Sequence, residues 1–452
     1  MSIGIKLKKG LDLNIAGGIA DTAACGAPAV ISPATVAITP DDFAGITPKT
    51  EVREGDTVAA GAPLLRSKEC ESLKIVAPAS GKVIAVVRGQ RRKIERVVIA
   101  TDPGTPALRH NTADVFDSAE NARRFLLASG LWAMTRQRPY ATVTDPAAEI
   151  RDIYVTGFDS APLAWTKTSF SDVEIHHLEN GVKLLSLLTS GKVYVSRRAT
   201  QSLPDLAGAE MIDVEGPHPA GLAGTIIAAT SPVNKGQTVM TLDLPTLARI
   251  GQSAETGIVP MTTTVAITGS EITRPRLVET LIGASLADLL KDAVENGNRH
   301  RRIISGNVLT GVTCPADGFL RFPYTQVTVI PEGDDVDEFM GWASMSPKKM
   351  STSASFPGHF LGKRLFKPDA RLMGGRRAMI MSGQYDKVFP MDILPEYLIK
   401  AIIARDVDRM EQLGIYEVAP EDFALAEYAD TSKLELQHIV RQGLDYLRKE
   451  LS

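Results

Sequence analysis

Residues 49–100 read KTEVREGDTVAAGAPLLRSKECESLKIVAPASGKVIAVVRGQRRKIERVVIA. Short β-branched runs alternate there with tight-turn residues: Glu54-Gly55-Asp56, Ala60-Gly61-Ala62-Pro63, Pro78-Ala79-Ser80-Gly81-Lys82 and Arg88-Gly89-Gln90. Glycine, proline and aspartate punctuate the chain because they accept the backbone angles of turns, and the β-branched residues between them suit a pleated surface. The spacing predicts a small strand-rich module.

The pattern EGDxVxxGxxL followed by APxSGxV resembles the barrel-sandwich modules of lipoyl and biotinyl carriers. Such a carrier presents a modified lysine at a hairpin tip. The candidates are Lys68 and Lys74, and neither sits in the methionine-flanked or acidic tripeptide that carriers show. The expectation is therefore a structural or docking module with ordinary solvated lysines.

At 452 residues the chain has room for about three domains. It is 44% hydrophobic and 23% charged, which places it among ordinary globular proteins. A net charge of −3 gives no footprint for nucleic acid. The start, MSIGIKLKKGLDL, lacks a sustained apolar core, and no apolar run approaches the roughly 20 residues of a membrane span. The expectation is a chain that is soluble when isolated and meets a membrane only through partners. Cys25, Cys70 and Cys314 are scattered, so they predict neither a four-cysteine iron–sulfur site nor a disulfide framework.

The predicted class is α+β multidomain. Residues 1–105 form the barrel-sandwich (lipoyl-like) domain, and 106–257 a Rossmann-like α/β domain. In the latter, a helix over Ser118–Ser129 stops at Gly130. The runs 153–157, 192–196 and 211–216 read as parallel strands, with a helix ending near Gly181–Ser190. Residues 258–331 form a strand–helix–strand unit of the SLBB, ubiquitin-like β-grasp kind. Its helix is expected to carry Leu286, Leu289, Leu290, Ala293 and Val294 on one face and to close at Gly297. Residues 332–376 read as an extended connector, and 377–452 as a helical domain. In that domain Pro395–Leu413 places Ile399, Ile402, Ile403, Val407, Met410 and Leu413 on one stripe, and Ser432 with Glu435 suggests a capping box.

Motifs with chemistry are scarce. There is no GxGxxG, no P-loop and no GxSxG elbow. His176-His177 has no acidic or cysteine partner at ligand spacing. The glycine-rich element EGPHPAGLAG, residues 215–224, follows a predicted strand, where α/β domains place ligand loops. His218, flanked by two prolines, is expected in a stiff, exposed loop that either contacts a ligand or partner or serves as a shaped connector. Basic clusters occur at 88–93, 299–302, 363–364 and 376–377, and each could meet an anion or simply face solvent.

Taken in order, IKLKKGLDLNIAG, EGDTVAAGAPLL, APASGKV, EGPHPAGLAGT, RRIISGNVLTG and GGRRAMIMSGQYDKVFPMDILPEYL resemble the NqrA family across essentially the whole chain. Its members are components of the sodium-translocating NADH:quinone oxidoreductase. A more distant similarity reaches the Rnf complex C subunit and the flavin-bearing, NADH-binding subunit of complex I. Relative to those, GPHPAGLAG replaces the glycine-rich flavin loop, and the cluster cysteines are absent. The resemblance implies a peripheral subunit on the cytoplasmic face of the bacterial inner membrane. It implies no cofactor bound in this chain, with NADH, flavins and iron–sulfur centres handled by other subunits and quinone bound on one of them or at an interface. It implies other subunits as partners, chiefly the quinone-site membrane subunit, and ubiquinone or menaquinone as the substrate nearby. The isolated chain is not expected to be catalytic. Candidate quinone or partner contacts are Pro217, His218, Gly221, Arg301 and Arg302, chosen from loop position and charge. A purely structural docking role is the alternative.

Overall fold

The computed structural model describes residues 2–19, 27–294, 300–335, 346–351, 356–361 and 364–450. Two facing antiparallel sheets form the N-terminal domain. One orders strands Thr35–Ile38, Ile94–Thr101, Gly81–Arg88 and Thr57–Val58; the other orders Pro48–Thr50, Pro63–Ser67 and Lys74–Val76. Alternate residues of these strands, among them Val36, Leu64, Ile75, Val83, Val97 and Ile99, fill the space between the sheets. Lys68 sits exposed in the hairpin turn after Ser67, whereas Lys74 begins the return strand and is half-buried.

The second domain carries a seven-stranded sheet. Its order is Ile3–Lys6, Glu210–Glu215, Val193–Arg197, Ile150–Thr156, Thr238–Asp243, Arg136–Arg138 and Thr142–Val143. The first five are parallel and the last two antiparallel. The continuous apolar run of 153–155 is explained by burial on both faces. Helix Ala119–Ala128 begins at the Ser118 cap and is followed by left-handed Gly130. Helix Asp172–Ser186 begins with a full capping box, Ser171 with Glu174, and packs beside helix Leu244–Thr256. That packing brings Glu255 to 3.4 Å from His176 Nε2 and 3.7 Å from His177 Nε2, a carboxylate partner that local spacing did not reveal. Among the described residues no group of three or more His, Cys, Asp or Glu is arranged to hold a metal.

The third domain is a six-stranded sheet ordered Val312–Cys314, Arg301–Ser305, Gln326–Pro331, Thr262–Thr268, Arg276–Leu281 and Ala29–Val30. Its helix is shorter than the pattern suggested. It spans Leu286–Leu290, and the chain turns extended at Lys291 and left-handed at Asp292. Ala293 and Val294 still join the apolar core, so the hydrophobic spacing reflects packing of a turn rather than helix length. Gly297 and Arg299 lie outside the described residues.

The C-terminal helices are Tyr385–Val388, Pro395–Ala404, Val407–Gln412, Ala424–Ala429 and Leu436–Glu450. The expected continuous stripe over 395–413 breaks at Arg405, whose φ of 55° is left-handed. The break rotates Ile403 outward to 55% exposure while Ile399, Ile402 and Met410 stay in the core. The expected Ser432–Glu435 box does not form. Ser432 Oγ donates to Ala378 O at 3.0 Å and Glu435 pairs with Arg376. Glu427 caps instead, accepting from Gln437 N at 2.8 Å, and Asp430 takes Ser432 N and Leu434 N.

Two segments cross between domains. The N-terminal segment supplies strand Ile3–Lys6 to the α/β sheet and strand Ala29–Val30 to the six-stranded sheet. On the way Ile15 bridges Phe366. Residues 366–370 lie against it and against the third domain, with Phe366 N donating to Asn14 O and Ala370 N to Pro331 O.

Candidate functional site at the carboxyl edge of the parallel sheet

Strands Ile150–Thr156, Val193–Arg197 and Glu210–Glu215 end on one edge, and the loops that follow them converge there. Carboxyl ends of parallel strands are where α/β sheets build ligand crevices, because connecting loops are freed there from ladder bonding. The sheet order reverses between strands 150–156 and 238–243, so the 157–171 loop leaves the switch point itself.

The 216–222 loop does not project into solvent as expected. His218 is 1% exposed. Its amide donates to Asp12 Oδ1 at 2.8 Å and its carbonyl accepts from Leu11 N at 2.8 Å, so the N-terminal segment covers the loop. Ser160 Oγ accepts from Gly221 N at 2.8 Å and lies 3.0 Å from His218 Nδ1. The Ser160 hydroxyl and the His218 ring are therefore in hydrogen-bond contact, and the tautomer of the neutral ring sets which of them donates. Burial holds the His218 pKa down at about 4, opposed by Asp12 and by hydrogen bonding to the Ser160 backbone and aided by nearby Arg198.

Arg198 follows the next strand. Its guanidinium stacks on Phe158 with 4.8 Å to the ring centre and donates to Gly216 O at 3.2 Å. Gln201 locks the two loops, donating to Gly157 O at 2.8 Å and accepting from Arg198 N at 2.9 Å. Three polar atoms of these loops are buried without a hydrogen-bond partner among the described residues: the Arg198 Nε–H, the Trp165 Nε1–H and the ring nitrogen His218 Nε2. Each such unpaired group costs about 1–3 kcal/mol, so their concentration in loops at one sheet edge is unusual for a mere connector.

Pro217 and Gly221 shape this loop. A Cβ on Gly221 would lie 2.8 Å from Phe158 O, so glycine permits the close approach of the two loops. Arg301 and Arg302 lie instead on the six-stranded sheet. Arg301 Nε donates to Glu271 at 3.1 Å, and Arg302 Nε to Glu332 at 3.0 Å. The structure thus gathers Pro217, His218 and Gly221 with Phe158, Ser160, Arg198 and Gln201, and no sequence motif marks the last four. Their signal was position alone, one to five residues after a predicted strand.

The low His218 pKa carries a sign. The unfolded ring binds a proton near pH 6.5 and the folded ring only near 4, so this residue's contribution is intact above 6.5 and is lost as pH falls toward 4. The full difference amounts to about 3 kcal/mol. His218→Gln should flatten the pH dependence of unfolding free energy between 6.5 and 4; an unchanged slope in denaturant titrations across that range would refute the assignment.

Family models match three stretches of the chain. Residues 5–102 match the NqrA N-terminal barrel-sandwich hybrid domain, 117–259 the NqrA second alpha/beta domain, and 264–316 the NQRA C-terminal domain, an SLBB model. The NqrA component of the Na(+)-translocating NADH-quinone reductase of Neisseria meningitidis serogroup B is 36% identical over 99% of this chain and 100% of its own length. The chain belongs to the NqrA family. The Yersinia pseudotuberculosis and Pasteurella multocida NqrA proteins, 35% and 34% identical, are covered equally completely. The similarity therefore runs through every domain described above, and each of these relatives is named as part of an oxidoreductase complex.

Proposed function

We propose that this chain is a peripheral subunit of a sodium-pumping NADH:quinone oxidoreductase and supplies hydrogen-bond donors to a quinone through the His218 loop. The observation that carries the reading is the pair of buried polar atoms without a partner among the described residues, His218 Nε2 and the Arg198 Nε–H. A quinone presents two carbonyl acceptors on an apolar ring, and Phe158 lies beside those atoms. A neutral His218 suits the role, since in the tautomer with its proton on Nε2 it would donate to a quinone carbonyl without bringing a charge. NADH oxidation, flavin and iron–sulfur electron transfer and sodium movement belong to other subunits. Among the described residues no helix is long and apolar enough to cross a membrane, which supports contact with the bilayer through partners, chiefly the quinone-site membrane subunit.

The finer architecture belongs to the same proposal. A parallel order in which the chain steps outward from strand 150–156 and then returns to its other side is that of a Rossmann-like half. The mixed sheet with helix Leu286–Leu290 is taken as β-grasp. Domain limits of 1–105, 106–257, 258–331 and 377–452, with 332–376 as connector, are proposed on the same footing.

The test is binding of a soluble short-tail quinone to the purified chain, followed by calorimetry or ligand-observed NMR. Saturable binding weakened about tenfold in His218→Ala, the loss of one good hydrogen bond, is the expected result. Binding to a folded chain that ignores His218→Ala removes the site. The structural alternative is favoured by the clamping of the loop through Asp12 and Leu11, and predicts that His218→Ala lowers stability with no effect on quinone.

A further inference from the structure

Most of the C-terminal domain's apolar residues are internal, but one group is not. Ile380, Met381, Leu394 and Tyr397 are 58%, 41%, 56% and 55% exposed. They are held together by a buried carboxylate: Glu396 accepts from Ser382 N at 3.0 Å and from Gly383 N at 2.9 Å, which pins the 380–383 segment to the start of helix Pro395–Ala404. Behind it, Arg377 N donates to Ser432 O at 2.9 Å. The patch is therefore on a fixed scaffold. Lys400 and Ile403 extend its exposed face along the helix at intervals of three residues.

We propose that this face is the docking surface for another subunit of the reductase, one that presents an apolar centre with a predominantly acidic rim. The composition decides for a protein partner. Methionine, tyrosine and arginine are the residues enriched where protein surfaces associate, and large apolar groups fixed at such exposure are scarce on surfaces that stay wet. The rim decides the partner's charge. Arg377, Lys387 and Lys400 are exposed around the patch against Asp386 and Asp392, while the exposed Arg376 is paired with Glu435. From residue 356 to 405 the chain carries nine lysines and arginines against four acidic residues, although the whole protein is at −3. The two exposed aspartates would meet unfavourable charge on an anionic lipid surface, whereas a protein rim can supply partners for both signs. This inference rests on membership of a multisubunit reductase and not on the quinone reading.

The experiment uses the full chain produced together with the other subunits. Met381→Asp and Tyr397→Asp are expected to lower the amount of chain recovered with the detergent-extracted complex about tenfold or more, the effect of placing a charge in a desolvated interface centre. Ile84→Asp, at an exposed site on the barrel-sandwich domain, serves as the control and leaves recovery unchanged. Arg377→Glu should produce a smaller loss that disappears at high salt. Isolated variants are melted in parallel, and only those whose melting temperature matches the parent are read, Leu394→Asp replacing any that does not. Full recovery of both variants with the complex overturns the proposal. So does unchanged recovery accompanied by lost binding to protein-free vesicles of phosphatidylglycerol, which would mark a lipid contact. Quinone binding by the isolated Tyr397→Asp chain should equal that of the parent, so failure of this surface and failure of the His218 site are told apart.

Discussion

Arg138→Ala is expected to destabilise the protein by about 3–5 kcal/mol, the cost of leaving a buried carboxylate without its cation. Arg138 lies on the strand Arg136–Arg138, and its side chain is 2% exposed. Its guanidinium reaches Asp422 Oδ2 at 3.0 Å and Glu421 Oε1 at 2.9 Å, both from the C-terminal domain. Asp422 Oδ2 also accepts from Ala419 N at 2.8 Å. Its other oxygen has no hydrogen-bond partner among the described residues and lies against Gly224, in the first turn of helix Ala223–Thr230. One carboxylate thus meets the α/β domain's arginine and the positive end of one of its helices. Burial already raises the Asp422 pKa to about 6, against the pull of Arg138. A folded pKa above the unfolded value means the folded state holds the proton more tightly, so this group's contribution falls as pH rises from about 4 through 6. The penalty of Arg138→Ala should accordingly be smallest in acid and grow toward neutrality. Denaturant titrations at pH 5 and 7.5 measure it, and a loss below about 1 kcal/mol at the higher pH would contradict the buried pair. Joint replacement by Arg138→Met and Asp422→Leu should cost less than Arg138→Ala alone, because no charge is then stranded.

Gly17→Ala is the second large effect, expected at about 3 kcal/mol or more from combined backbone strain and overpacking. Gly17 has a φ of +96°, and a Cβ there would lie 2.2 Å from the backbone of Gly269. Gly269 cannot retreat, because its own Cβ position is 2.1 Å from Val329 O. The crossing is fixed by Gly269 N donating to Gly17 O at 2.9 Å. This is the point where the N-terminal segment, having covered the His218 loop, passes over the third domain. The substitution should therefore loosen residues 2–18 and increase amide exchange at Leu11 and His218 as well as lower global stability. Gly55→Ala separates the two causes. Gly55 has a similar φ of +95° with open space around it, so its cost should stay near the conformational value of about 1 kcal/mol. Equal losses at both positions would remove the close-approach argument.

The parts of the fold legible in the sequence are those with short-range causes. The turn punctuation of 49–100 announced the barrel-sandwich strands, and the apolar runs ending at 157, 196 and 216 announced the parallel ones. Ser118 and Gly130 bracketed their helix. The misreadings share a cause as well. The stripes over 286–294 and 395–413 register burial, and burial is also satisfied by a turn at Asp292 or a kink at Arg405. Ser432 and Glu435 had the right spacing for a cap, but Ala378 and Arg376 offered them tertiary partners. The candidate site was half legible. A glycine-rich loop after a strand pointed to His218 and Gly221, while Ser160 and Arg198 are ordinary residues that acquire meaning only beside it.

By itself the sequence determined the family, the domain order and most element types, because hydrophobic period, turn chemistry and motif order are local properties of the chain. Only the tertiary structure decided that His218 is buried and neutral and that its Nε2 and the Arg198 Nε–H lack partners among the described residues. It also decided that Arg301 and Arg302 are held by Glu271 and Glu332, and that Arg138 and Asp422, 284 residues apart, share one buried charge pair. Desolvation and pairing depend on what surrounds a group in space, and residues distant along the chain supply those surroundings.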